Sequence, residues 1–198
     1  MSEFLTFLHV GFRHIANVEA YDHLLFVITL CAVYRLSEWK KILVLVTAFT
    51  IGHSLTLALS AFDIIRVPAD LVEILIPVTI LLTALHNIAM KSTGSSTFSR
   101  MISVNYFLAL FFGLVHGMGF SNYFRTLMGD SGNITLPLFS FNVGIELGQM
   151  LIVLCFFGAL LLLSQFLKIK HREWTLFISG AGAGVAVILI VKGLTGGG

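Results

Sequence analysis

Residues 42–62 read ILVLVTAFTIGHSLTLALSAF, an apolar run without any Asp, Glu, Lys or Arg. A helix of this length rises about 32 Å, which matches a bilayer hydrocarbon core of about 30 Å. The alternation of polar and apolar residues that marks a membrane strand is absent. The run therefore predicts a helix that crosses a membrane.

Comparable runs fill most of the chain. Hydrophobic residues make up 57% of the 198 positions and charged residues only 11%, which is too little polar surface to coat a soluble globule. We predict a single-domain, all-α integral membrane protein with about six transmembrane helices. The predicted spans are residues 21–34, 42–62, 70–90, 101–120, 137–167 and 174–194.

The N-terminal segment is apolar on one side only, and it lacks the cationic start and cleavage site of a signal peptide. We predict a short, retained helix that is amphipathic or half inserted. The span over 21–34 rises only about 21 Å, less than the bilayer core. We therefore expect the preceding segment to contribute to crossing the membrane at this place.

The distribution of Lys and Arg among the connections predicts the orientation. Cytoplasmic loops carry an excess of these residues. One side holds Arg35, Lys40, Lys41, Lys91, Arg100, Lys168, Lys170 and Arg172, and the other holds Arg13, Arg66, Arg125 and Lys192. This asymmetry predicts that both termini lie outside. We expect the membrane to be the bacterial cytoplasmic (inner) membrane.

Polar residues from distant parts of the sequence fall at similar depths in the outer half of the predicted bundle. Ionisable groups are costly inside a membrane, so a cluster at shared depth predicts a functional site. The candidate metal ligands are His14, Asp22, His23, His53, Glu73, His116, Asn142, Glu146 and Gln149.

Several candidate ligands could have a structural role instead of binding a metal. The spacings of four and three put Asn142, Glu146 and Gln149 on one helical face, which suits either a site or a hydrogen-bond ladder between helices. His53 suits a core histidine as well as a ligand. Asp22 could cap its helix, and Glu73 could close a capping box with Asp70.

The types of the candidate ligands limit which ion the site could bind. Imidazoles with carboxylates and amides suit nickel, cobalt or zinc, whereas calcium would want more oxygen ligands. Cys31 and Cys155 lie inside apolar spans and are interpreted as small hydrophobic residues. The expected partners are the lipid bilayer, a divalent metal ion and, as an open alternative, further copies in a homo-oligomer. The scattered charges exclude a nucleic-acid surface.

Five motifs resemble the HupE/UreJ membrane proteins over residues 11–149. They are GFRHI at 11–15, YDHLLF at 21–26, TAFTIGHSLTLA at 47–58, FGLVHGMGF at 112–120 and FNVGIELGQ at 141–149. This resemblance implies about six helices, a nickel or cobalt permease, and a link to hydrogenase or urease accessory functions.

Three functions are compatible with the sequence. The first is a metal transporter that uses the histidines and carboxylates as an outward-facing site. The second is a membrane-embedded zinc hydrolase with three histidine ligands and Glu146 or Asp22 as general base. The third is a metal sensor or accessory subunit.

Overall fold

The computed structural model describes residues 2–17, 21–90, 95–128, 134–167 and 170–195. These residues form helices and short connections and no strand, so the predicted all-α membrane fold is confirmed. The helices are α1 (Glu3–Ala16), α2 (Tyr21–Cys31), α3 (Trp39–Ala61), α4 (Ala69–Ala89), α5 (Ser95–Met128), α6 (Thr135–Phe166) and α7 (His171–Leu194), with a 3-10 turn at Leu36–Glu38.

Five helices, α3 to α7, are long and apolar enough to cross a membrane. The span predicted over 21–34 is shorter than expected, because α2 has 11 residues and rises only about 16 Å. Helix α1 compensates for the short length of α2, and it packs along α6 instead of lying apart from the bundle. Thus α1 and α2 together occupy the place of one spanning helix.

Close backbone contact holds α1 against α6. A Cβ added to Gly11 would lie 2.0 Å from the carbonyl oxygen of Phe141, and one added to Gly144 would lie 2.1 Å from that of Leu8. Only glycine permits such an approach. The amphipathic N-terminal segment is therefore a packed element of the bundle, with its residue Ile15 fully buried.

Helix α5 extends beyond the predicted span of 101–120 at both ends. Its last turns remain ordered by tertiary contacts: Phe124 is buried against Phe7 and Phe141, and Arg125 pairs with Asp63. These contacts involve residues far away in sequence, so the span predicted from hydropathy alone ended too early.

The connection between α3 and α4 is fixed by Asp63, which has a φ of 59°. Its carboxylate accepts hydrogen bonds from Arg66 and from Arg125, and the bond from Arg66 lowers the pKa of Asp63 below its ordinary value. The ion pairs tie the end of α3 to the end of α5.

The two ends of the bundle are distinct. At the near end α1, α4 and α6 begin and α3, α5 and α7 finish, as the contacts Phe7–Phe124 and Gly193–Ile74 show. At the far end α2 and α4 finish beside the start of α7. Both ends of the described chain, Ser2 and Thr195, therefore belong to the near end.

The helices pack most extensively as three pairs, α3 with α5, α1 with α6, and α4 with α7. In the first pair Gly52 meets the backbone of Leu110, and Gly113 meets that of Phe49. The short helix α2 is anchored to the third pair, because Asn87 donates a hydrogen bond to its carbonyl at Thr29 and Thr175 donates one to the carbonyl of Ala32, just past its end.

Candidate metal centre

Four imidazoles from four helices converge in the middle of the bundle. They are His14 on α1, His23 on α2, His53 on α3 and His116 on α5. The ring centroids lie 4.6 Å apart for His14 and His23, 5.7 Å for His14 and His53, and 5.1 Å for His23 and His116. Each of the three helix pairs thus supplies at least one ring, if α2 is counted with the pair of α4 and α7.

Three of these rings form a set with metal-binding geometry. One ring nitrogen from each of His14, His23 and His53 lies within 4.8 Å of the others. Nitrogen ligands about 2 Å from an ion lie within about 4 Å of each other. A small rotation of the side chains would therefore bring all three nitrogens onto one ion.

The hydrogen bond from His23 to Asp22 fixes which nitrogen of His23 faces the cluster. Its Nδ1 lies 3.1 Å from the Asp22 carboxylate, which can only accept, so Nδ1 carries the proton. The Nε2 atom keeps its lone pair, is buried and has no hydrogen-bond partner among the described residues. A carboxylate behind an imidazole is the usual support of a metal-ligating histidine.

A threonine has the same effect on His116. The hydroxyl of Thr79 donates to the carbonyl of Ile76 at 2.6 Å, so it must accept from Nε2 of His116, which lies 3.2 Å away. The Nδ1 atom of His116 then keeps a lone pair, and it is buried without a partner in the described structure.

Two further histidines present unsatisfied nitrogens. Both ring nitrogens of the fully buried His53, and Nε2 of His14, find no hydrogen-bond partner among the described residues. Such atoms are costly to bury unless something binds them. The ring centroid of His14 lies 3.9 Å from that of Phe120, with the two rings tilted by 43°. Phe120 in turn stacks on Phe141, so the site has apolar walls.

A cavity of about 270 Å³ connects this cluster with the near end of the bundle. Its lining includes His14, Asp22, His23, His116 and, at its rim, the exposed Glu73. Glu73 does not close a capping box, because α4 begins after Pro68 without a side-chain cap. That alternative for Glu73 is wrong.

The polar stripe of α6 lies elsewhere. Glu146 accepts a hydrogen bond of 2.6 Å from Thr47, and Gln149 accepts one of 2.9 Å from Thr50. Asn142 donates to the carbonyl of Leu138. None of the three lines the cavity or belongs to the histidine set. The bonds of Glu146 and Gln149 form the ladder between α3 and α6 that the sequence left open as an alternative.

The sequence did not identify Thr79 or the aromatic walls. Thr79 precedes Thr83 and Asn87 at intervals of four, a spacing that could have marked a polar face on α4. The phenylalanines carry no such signal, because they are indistinguishable in sequence from residues that face lipid.

Comparison with known proteins gives one result. A family model described as HupE / UreJ protein matches residues 1–192. Comparison with curated proteins and with solved structures gives no significant match. Since the matched region covers nearly the whole chain, this protein belongs to the HupE/UreJ family.

Proposed function

We propose that this protein carries a divalent transition metal ion, nickel or cobalt, across a bacterial cytoplasmic membrane. The observation that supports this most is the convergence of four imidazoles, each of which has at least one buried ring nitrogen without a hydrogen-bond partner among the described residues. The family is linked to nickel and cobalt uptake or to accessory functions.

The ion would enter from the near end. Glu73 at the cavity rim and Asp22 deeper inside supply negative charge along the way, which favours a hydrated cation. The ion would then exchange water for Nε2 of His14, Nε2 of His23 and a nitrogen of His53, with Nδ1 of His116 as a further donor. Imidazole ligands without a thiol suit nickel, cobalt and zinc.

The geometry supports transport better than a zinc hydrolase. A hydrolase needs a general base beside the metal-bound water. Glu146 is hydrogen-bonded to Thr47 and does not line the cavity, while Asp22 is engaged with His23. Neither carboxylate is placed as a free base.

Uptake into vesicles tests the proposal. Purified protein in liposomes that contain a metal-sensitive dye should admit nickel or cobalt, and the triple variant His14→Gln, His23→Gln, His53→Gln should not. His9→Gln is the matched control, because His9 is exposed on α1 and outside the cluster. Equal uptake by the triple variant and the wild type would refute the site, and binding without uptake by the wild type would refute transport.

A further inference from the structure

Below the histidines, α4 carries a stripe of buried polar residues that points toward the far end. Thr79, Thr83 and Asn87 follow at intervals of four, so they lie on one face about 6 Å apart. All three are at most 3% exposed. The stripe begins at His116, to which Thr79 is hydrogen-bonded.

The hydroxyl oxygen of Thr83 is available as an acceptor, and that of Thr79 keeps one lone pair besides the one that accepts from His116. Thr83 donates its proton to the carbonyl of Thr79 at 2.9 Å, just as Thr79 donates to Ile76. A threonine that donates to its own helix keeps oxygen lone pairs for a neighbour. Hard oxygen atoms of this kind can replace water around a cation.

The facing helix α2 contributes one more oxygen. Thr29 is fully buried, and its hydroxyl lies against Gly182 of α7 and has no hydrogen-bond partner among the described residues. Its backbone carbonyl accepts a hydrogen bond of 2.7 Å from the side-chain Nδ2 of Asn87, which places the two residues side by side. A buried hydroxyl without a partner is unfavourable, and its oxygen is free to contact a cation.

The opposite side of the histidine cluster is filled by phenyl rings. The rings of Phe26 and Phe49 lie 5.0 and 5.3 Å from that of His116, and Phe112 lies 5.8 Å from Phe26. All three residues are fully buried or nearly so. An ion that moved between α2 and the pair α3 and α5 would lose its water to apolar surface, which is costly.

We propose that the ion leaves the histidine site where α2 and α4 meet α7, along the oxygens of Thr79, Thr83, Thr29 and Asn87. This route rests on the transport function proposed above. In the present state the hydrogen bond from Asn87 to the Thr29 carbonyl closes its far end. Passage therefore requires α2 to separate from α4 at this bond.

The variants Thr29→Val and Thr83→Val test the route, since valine keeps the shape and removes the oxygen. We expect the saturating flux of nickel to fall by about tenfold, as for a barrier raised by about 1.4 kcal/mol, with the dissociation constant unchanged. Thr29 makes no side-chain hydrogen bond in the described structure, so a purely structural threonine would tolerate valine without any loss of flux.

Thr56→Val is the control. Its buried hydroxyl donates to the Leu114 carbonyl on α5 at 2.8 Å, away from the route, so its flux should stay at the wild-type value. Wild-type flux in both Thr29→Val and Thr83→Val would overturn the route while the transport function stands. Absence of flux in the wild-type protein itself would instead refute the proposed function.

Discussion

At the residue scale, neighbouring oxygens decide which nitrogen of a histidine can bind an ion. Asp22 holds the proton on Nδ1 of His23, and Thr79 holds it on Nε2 of His116. The opposite nitrogens then face the cluster with their lone pairs. Asp22 is thus better placed to orient a ligand than to be one.

Replacing Asp22 tests this role. Asp22→Asn keeps the size but removes the charge that makes His23 a stronger donor. We expect nickel affinity to fall by about tenfold to a hundredfold, the usual effect of losing such a supporting group, with no change in stoichiometry. Titration calorimetry measures both. Glu3→Gln, at an exposed position of α1, should bind like the wild type, and an unchanged affinity in Asp22→Asn would contradict the role.

The geometry changes the expectation for Glu146. As one of the candidate metal ligands, Glu146 would be expected to lose metal binding when Glu146→Gln removes the charge that balances an ion. In the structure Glu146 pairs with Thr47 outside the cavity, and a glutamine can accept the same bond. We therefore expect the dissociation constant for nickel to match the wild type in a calorimetric titration. A loss of binding would return Glu146 to the ligand set.

At the element scale, glycines set the distances between paired helices. A Cβ on Gly52 would lie 2.2 Å from the carbonyl oxygen of Leu110, and one on Gly113 would lie 2.1 Å from that of Phe49. Since backbone atoms cannot rotate away, any side chain here would push α3 and α5 apart. These two helices carry His53 and His116, so their distance also sets the geometry of the site.

Substitution by alanine should separate packed from lipid-facing glycines. Gly52→Ala should destabilise the fold by about 1–3 kcal/mol, which lowers the melting temperature by roughly 2–10 °C. Gly180→Ala is the control, because an added Cβ would meet nothing within 4 Å. Thermal unfolding in detergent measures both. Equal melting temperatures would show that α3 and α5 are not held at this distance in solution.

Helix α5 shows which part of a helix can be predicted from the local hydropathy pattern. Hydropathy placed the span correctly but could not predict that the helix continues to Met128. That extension depends on Phe124 packing against Phe7 and on the ion pair of Arg125 with Asp63. Both partners are brought there by the fold.

At the scale of the whole molecule, the candidate site lies where three groups of helices meet. The pair α1 and α6 supplies His14, and the pair α3 and α5 supplies His53 and His116. The group of α2, α4 and α7 supplies His23. Relative movement of these groups would alter the ligand set, as the proposed transport of an ion through this site requires.

The orientation of the bundle can be tested by labelling. The Lys and Arg asymmetry predicts that the near end, with both termini, lies outside. In intact cells an impermeant thiol reagent should therefore label a cysteine placed at Ser2 but not one placed at Lys170. Both positions are exposed. The native Cys31 and Cys155 are removed beforehand. The reverse labelling pattern would place the histidine site toward the cytoplasm.

The sequence by itself determined the membrane class, the positions of the long helices and the set of intramembrane histidines. These follow from local apolar length and from depth along each helix, which need no knowledge of neighbours. The family motifs also lie within continuous segments.

Only the tertiary structure decided which polar residues face each other. Depth placed Glu146 at the level of the histidines, but the rotation of α6 about its axis turns this residue toward Thr47 on α3. That rotation is set where α6 meets α1, by the contacts of Gly144 with Leu8 and of Gly11 with Phe141. The tautomer of His116 likewise depends on Thr79 from another helix. Helix rotation and side-chain partners are properties of packing between segments, so no single segment encodes them.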